Sequence, residues 1–570
     1  MSSASEFVFQ KLVAAALSVA FASSIAQVEA FSGECGLNPA AHHPLFVGLL
    51  VAGLGISLAV LSNVEMRVPV EFLLAGISIG YVLIAGAVYG ADLLAADRIL
   101  VEVGVLALVA RVHPFAYRVL AARMLISCAI AKVLSCGSVW LSFSAVKTDA
   151  LNQPFPFTPV WHLAQLPDNI TSILSMIILV AEILLPALLV LSRSTGPLFC
   201  ALGLTAYYAV IGNFNWTILI LVATLVRLIP SNIVTLVLSG TTLRRWGWKS
   251  DTQFMEKEAE SAFVAGLGQA ALVSFTICTL VAGIALGLQG TLFGAPLHNV
   301  LVGLSASIVG YSVWRLRRNP KVLLVVGLGM WFSGKSMLSL LSVGHIAHVD
   351  DFSGLPGCFT FTTGSMGKAA HTKDGRAGFL LQTRFSQMGT NTVGSDLGGT
   401  RYAELAVPGS VHGDEVRPAF LLGHLPRLAL KLWRIGTGRE YDVREGLLVL
   451  RRLERAIEEG SEALHVLFND EFTTSALVGK KNQVQAFYQM YQVTHRMADH
   501  LWWKRNYDQV AALPTKEIAV VAPIAQKCAW MVPPRIMGVG TDLILTTMIL
   551  LVVVGKLLFT SERPKKNKKL

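Results

Sequence analysis

Charge is what this sequence has least of. Only 15% of its 570 residues are charged, against about 25% in an ordinary soluble protein. A water-soluble fold with that deficit would expose large apolar patches, so a chain that is soluble throughout is excluded. Cysteine is scarce as well. Seven cysteines and no C-x-x-C exclude a disulfide scaffold and a paired-thiol redox motif. Cys128, Cys136, Cys200 and Cys278 lie in apolar runs and read as small buried hydrophobes. Cys35, Cys358 and Cys528 lie outside those runs, and whether two of them pair stays open. No H-E-x-x-H and no histidine–cysteine constellation occurs, so neither a metal nor a cofactor is expected. The net charge of +11 sits in short runs beside apolar stretches rather than in a polybasic segment interleaved with aromatics. Nucleic acid is therefore not an expected partner.

Three motifs match catalytic patterns by spacing alone. "GMWFSGKS" (329–336) satisfies G-x-x-x-x-G-K-S with Lys335 and Ser336. Its loop interior holds Met330, Trp331 and Phe332, whereas a phosphate cradle needs small residues, so no nucleotide site is expected. "GISIG" (76–80) has nucleophile-elbow spacing but lies inside an apolar helical run, and Gly76 and Gly80 read instead as a close helix-packing face. "HIAHVDD" puts His345 and His348 one turn apart beside Asp350 and Asp351, a conceivable metal site that reads rather as a polar exit from the membrane. No enzymatic activity is inferred from any of them.

What the chain does have is hydrophobicity: 53% apolar residues and a mean hydropathy of +0.58. Apolar segments fall near 8–30, 45–63, 70–92, 97–112, 118–138, 171–192, 197–212, 216–238, 263–287, 297–314, 321–343 and 541–559. The fold expected is a multi-span α-helical membrane protein of about 11–12 spans. Basic clusters at Arg111 to Arg123, Arg193, Arg244 to Lys249, Arg315 to Lys321 and the tail "RPKKNKKL" all fall on one side if the N-terminus is cytosolic. Both termini are then cytosolic. Segments 31–44, 139–170, 288–296 and 344–540 face the other side, the lumen.

Lys566 and Lys568 in the tail have K-x-K-x-x spacing, a candidate signal for retrieval to the endoplasmic reticulum. Asn169 opens a sequon, Asn-Ile-Thr, and is the candidate glycosylation site; Asn215 opens a second one too deep in the membrane for modification. The expected domains are a membrane part (1–345), a β-rich lumenal segment (346–415), a helical lumenal segment (416–535), a C-terminal transmembrane helix (540–559) and a basic tail (560–570). In the β-rich segment "GFLLQTRFSQ" and "TRYAELAVP" flank the turn-rich "GTNTVGSDLGGT" and suggest a small antiparallel sheet. In the helical one, Leu447, Leu450, Leu453 and Ile457 recur at helical spacing. Together they form a lumenal α+β domain.

One apolar region is interrupted by polar residues. "YYAVIGNFNWTILILV" (207–222) places Gly212, Asn213 and Asn215 in the midst of hydrocarbon-compatible sequence. Unpaired amides there cost several kcal/mol. Glycine weakens a helix by about 1 kcal/mol relative to alanine, and asparagine can bind the backbone freed at a break. Glu182 and Lys132, in neighbouring apolar segments, are the expected partners of this polar seam. The loop 153–159 lacks several amide donors and reads as a rigid lumenal cap, with Trp161 at the interface.

Taken in order, "RMLISCAIAKVLSCGSVW", "NQPFPFTPVWHLAQLP", "AEILLPALLV" and "GNFNW" resemble the lipase maturation factor family, whose core here spans about 97–232. The matching positions are Lys132, Ser135, Gln153, Pro154, Pro156, Thr158, Pro159, Trp161, Leu166, Pro167, Glu182, Pro186, Gly212, Asn213 and Asn215. "GECGLNPA" (33–40) and "DRILVEVGVLALVA" (97–110, with Glu102) flank that block, and the first match is why the first apolar helix is expected to be retained. "RPAFLLGHLPRLALKLW" (417–433), "SEALHVLFNDEF" (461–472) and "VQAFYQMYQVTHRMADHLWWKRNY" (484–507) resemble segments of the family's second half. Ala429, Asp470 and Glu471 depart from its pattern.

The resemblance implies an endoplasmic reticulum membrane factor for folding and assembly of secreted, dimeric lipases. Arg417, Phe420, His424, Arg427, Trp433, Trp502, Trp503 and Tyr507 are then the candidate client-binding residues. Secreted lipases and membrane lipids are the implied partners, with no cofactor and an open oligomeric state. The alternative expectation is a membrane-embedded enzyme or transporter acting on a lipid-like ligand at the seam of Lys132, Glu182 and Asn213.

Overall fold

A computed structural model describes residues 3–32, 43–64, 66–89, 95–109, 114–147, 159, 162–163, 165–192, 194–211, 216–238, 242–243, 246, 248, 260–269, 271, 273, 307 and 311. It also describes the backbone of four strands. In chain order the helices are α1 (Ala4–Ser32), α2 (His43–Leu61), α3 (Val70–Tyr89), α4 (Ala95–Leu106), α5 (Phe115–Leu141), α6 (Asp168–Leu191), α7 (Gly196–Ile211), α8 (Thr217–Leu228) and α9 (Ser231–Leu238). Among the described residues four helices, all but the last turn of α1 together with α2, α3 and α6, are long and apolar enough to cross a membrane. By length and composition these four candidate spans point to a helical membrane protein.

The bundle is built around α1, which packs against α2, α3, α4, α8 and α9. Its crossing segment is 89% buried, while that of α2, the more apolar of the two, is only 22% buried. Lipid is as apolar as leucine, so a purely apolar helix gains little by going inside, whereas polar side chains need protein partners there. α1 carries those side chains. Gln10 Nε2 donates to Glu71 Oε1 at 3.3 Å, Ser18 Oγ to Ser57 Oγ at 3.0 Å, and Lys11 Nζ to the last carbonyls of α2, Val60 and Leu61. A cation on those carbonyls offsets the helix dipole. Asn63 follows in the left-handed region (φ 58°), and Val64 N–H reaches back to Ala59 O at 3.0 Å, closing α2 with a Schellman turn.

Contacts between helix ends sort them onto two faces. Ser5 meets Ser231, Phe9 packs edge-on to Tyr117 at 4.9 Å, and Lys11 and Gln10 reach the α2–α3 turn. The N-terminus therefore shares a face with the end of α2, the starts of α3 and α5, and 229–231. Arg118 adds the end of α6 to it by donating to Leu189 O and Ser192 O. At the opposite face Tyr81 links Ser24, Asp97 and Trp216.

Of the segment expected at 97–112, the described residues form α4 and one 3₁₀ turn, Ala107–Val109, about 24 Å in all; 110–112 lie outside the described residues. Two expectations change. The segment 216–238 is two helices, because Pro230 supplies no amide and pushes Ile229 to extended backbone (ψ 136°). Among the described residues Gly76 and Gly80 are not a packing face: a Cβ at either meets nothing within 4 Å. A close contact falls instead at Gly104, where a Cβ would lie 2.0 Å from Ser78 Oγ. Ser78 itself is buried mid-helix and donates to Leu74 O at 2.6 Å, so it is no elbow nucleophile. The segments 329–336 and 345–351, and Cys35, Cys358 and Cys528, lie outside the described residues.

The four strands form one antiparallel sheet in the order β2-β1-β3-β4: β1 (Gly375–Phe385), β2 (Arg401–Glu404), β3 (Val484–Val493) and β4 (Trp503–Ala512). The hairpin partners expected near 378–387 and 400–408 pair as β1 and β2, with Gln382 opposite Glu404. β3 and β4 are strands inside the segment expected to be helical. Their aromatic and β-branched residues, such as Phe487, Tyr488, Tyr491 and Val493, favour a pleated surface.

Candidate functional site

Two of the seam residues expected from sequence meet. Lys132, on α5, and Glu182, on α6, form an ion pair with Lys132 Nζ donating to Glu182 Oε1. Lys132 is 1% exposed and Glu182 0%, so water screens neither charge. The pairing follows from how α5 and α6 pack along their lengths. It also explains why an apolar run tolerates a lysine: each charge offsets part of the other's desolvation cost.

Three further side chains complete the cluster. Tyr208, near the end of α7, donates its hydroxyl to the same Oε1, and Cys128, one helical turn before Lys132, points its thiol there at 3.5 Å. Lys132 Nζ stands 4.2 Å from the ring centre of Trp140 and 5.4 Å from that of Tyr208. These ring faces attract the ammonium by their quadrupoles. Pro186 follows Glu182 by one turn within α6. It has no N–H, so the usual helical donor to the Glu182 carbonyl is missing. Among the described residues, Glu182 Oε2 has no hydrogen-bond partner. The seam is therefore a buried cluster of formal net charge zero, with one carboxylate oxygen crowded by donors and the other without one among the described residues.

A second buried pair lies in the same bundle. Glu102 on α4 accepts from Arg123 on α5, both less than a tenth exposed. The sequence shows Glu102 as an acid in an apolar helix but counts Arg123 with a cytosolic cluster; the structure turns it inward. Tyr208, Cys128 and Trp140 are missed by sequence because each is an ordinary residue for a membrane helix. The signal that finds Arg123 is its position within an apolar segment, where a cation needs a partner.

The other candidates are placed as follows. Pro159 is exposed, and Asn169 is exposed in the first turn of α6, with the Thr171 hydroxyl of its sequon bonded back to Asp168 O at 3.0 Å. Gln153, Pro154, Pro156, Thr158, Trp161, Gly212, Asn213 and Asn215 lie outside the described residues. So do Arg417, Phe420, His424, Arg427, Trp433, Trp502, Lys566 and Lys568. Trp503 opens β4 opposite Val493, and Tyr507 lies at the irregular register that follows Asn506. Among the described residues no group of three or more His, Cys, Asp or Glu converges as a metal site would require. No protein-family model, no curated protein and no solved structure matches the chain.

Proposed function

We propose that this chain is an endoplasmic reticulum membrane protein that helps secreted, dimeric lipases fold and assemble. The observation that carries the reading is the Lys132–Glu182 pair. Lys132 comes from "AKVLS" and Glu182 from "AEILLP", two segments of the family resemblance that are 50 residues apart in sequence. Two residues that the resemblance selects in separate segments thus lie in contact, which supports the reading. In this reading the region 346–540 is a lumenal α+β domain, followed by a final transmembrane helix, with both termini and the dilysine tail in the cytosol. The domain holds a partly assembled client by binding energy and lowers its aggregation, and no reaction is assigned.

The test is secreted lipase activity and lipase mass from source cells with and without the gene. Loss of activity with lipase retained inside the cell supports the reading. Unchanged activity and mass refutes it.

A further inference from the structure

Two contacts pin the chain that follows α8 to the N-terminal face. Ser5 Oγ and Ser231 Oγ share a hydrogen bond at 3.2 Å where α9 begins, and Asn63 Nδ2, just past α2, donates to the Trp246 carbonyl. Between those points α9 advances about 12 Å, and the link from Leu238 to Trp246 reaches at most about 29 Å. Crossing a hydrocarbon core and returning takes about 60 Å. The stretch from Ser231 to Trp246 therefore stays on one side of the membrane.

This stretch and its neighbours are both apolar and basic. Leu243 is fully buried, and Trp246 and Trp248 pack half-buried against the core. A turn of backbone holds them, with Trp246 N–H on Thr242 O at 3.0 Å and Trp248 N–H on Leu243 O at 2.9 Å. In sequence Arg244, Arg245 and Lys249 directly flank the two tryptophans. Beside Asn63, the α2–α3 turn adds exposed Val64, Arg67 and Val68, and α9 adds exposed Val237. Glu6 and Glu71, which α1 and α3 bring to the same face, are buried and leave those cations uncancelled at the surface.

Position narrows what such a surface meets. The candidate span of α2 ends at Leu61, and Asn63, two residues on, already holds Trp246. The tryptophans thus stand at the hydrocarbon boundary, the level of the lipid headgroups, where indole rings are enriched. Cations at that level attract anionic headgroups, and exposed valines beside them fit the acyl boundary.

We propose that Arg67, Trp246 and Trp248, with Arg244, Arg245 and Lys249 beside them in sequence, form a surface that binds the headgroup of an anionic phospholipid. It is separate from the Lys132–Glu182 seam and does not rest on the lipase reading. In the orientation expected from the sequence this face is cytosolic, the side on which anionic lipids concentrate.

The full chain, purified into phosphatidylcholine nanodiscs, is photolabelled with a phosphatidylserine carrying a diazirine near the top of one acyl chain, and separately with the matched phosphatidylcholine. Adducts are mapped by peptide. Each cation at a membrane surface favours an anionic lipid about fivefold, so the serine lipid is expected to label 62–69 or 231–249 at least about tenfold more than the choline lipid. Raising salt from about 0.1 M to about 1 M shortens the screening length from about 10 Å to about 3 Å and is expected to remove most of that ratio. The variant Arg244→Gln/Arg245→Gln/Lys249→Gln is expected to lose most of it at low salt while remaining monodisperse. If that variant fails to fold, the salt series on the unmodified protein still decides. Equal labelling by the two lipids, no labelling of these peptides by either, or a ratio that survives salt or neutralisation overturns the surface.

Discussion

The seam permits a stability experiment whose size can be worked out in advance. Lys132→Met leaves Glu182 at 0% exposure without the Lys132 ammonium, and Glu182→Gln takes the Glu182 carboxylate away from Lys132 at 1% exposure. Breaking a buried pair from one side costs about 3–5 kcal/mol, because the remaining charge is stranded. The double variant strands nothing, and the amide oxygen introduced in place of the Glu182 carboxylate still accepts from Tyr208 and Cys128. Replacing a buried pair by a neutral one is often close to neutral, so the double variant should lose no more than about 2 kcal/mol. The singles sum to about 6–10 kcal/mol, which sets the coupling at about 4 kcal/mol or more. Hydrogen bonds between membrane helices couple by only about 0.6 kcal/mol on average, with a maximum near 1.7, so the two cases separate cleanly. Reversible unfolding in mixed detergent micelles, followed by tryptophan fluorescence, measures all four proteins. Additive single losses, or a coupling below about 1.7 kcal/mol, would refute the ion pair as the centre of the seam.

Other substitutions test the packing. Gly104→Ala places a methyl 2.0 Å from Ser78 Oγ and 3.0 Å from the Leu74 carbonyl; it should cost about 1–3 kcal/mol, and Ser78→Gly should restore part of it in the same unfolding assay. Gly53→Ala meets the Phe21 ring at 2.3 Å and should destabilise. Gly55→Ala, with nothing within 4 Å, should be neutral or stabilise by up to about 1 kcal/mol. Arg123→Met strands Glu102 and should lower stability by about 3–5 kcal/mol, and Glu102→Gln on that background should recover most of it; an unaffected melting curve would place Arg123 at the surface instead. Arg118→Ala removes the donor to Leu189 and Ser192 carbonyls and should cost about 1–3 kcal/mol, read as earlier unfolding.

Part of this was readable in the residues themselves. The membrane class follows from composition, because 15% charge cannot clothe a soluble chain of this length. Lys132 and Glu182 were legible as members of a polar seam because charge in hydrocarbon is costly enough to demand a partner; that they pair with each other came from the packing of α5 on α6. The break at Pro230 had a local signal too, since proline supplies no amide and restricts its predecessor, but hydropathy runs straight through it and reads one segment. What the tertiary structure decided is which helix faces which. α1 and α2 are both apolar, yet α1 lies at the centre and α2 at the rim. Tyr208 was not separable from Tyr207, nor Cys128 from the other cysteines, until α7 and α5 were set against α6. Arg123 changed from a topology marker to a buried ion once Glu102 lay opposite it. Hydropathy sums over a segment and reports whether it leaves water. The partner of each side chain depends on how neighbouring helices cross and rotate, and that is a property of the packed bundle.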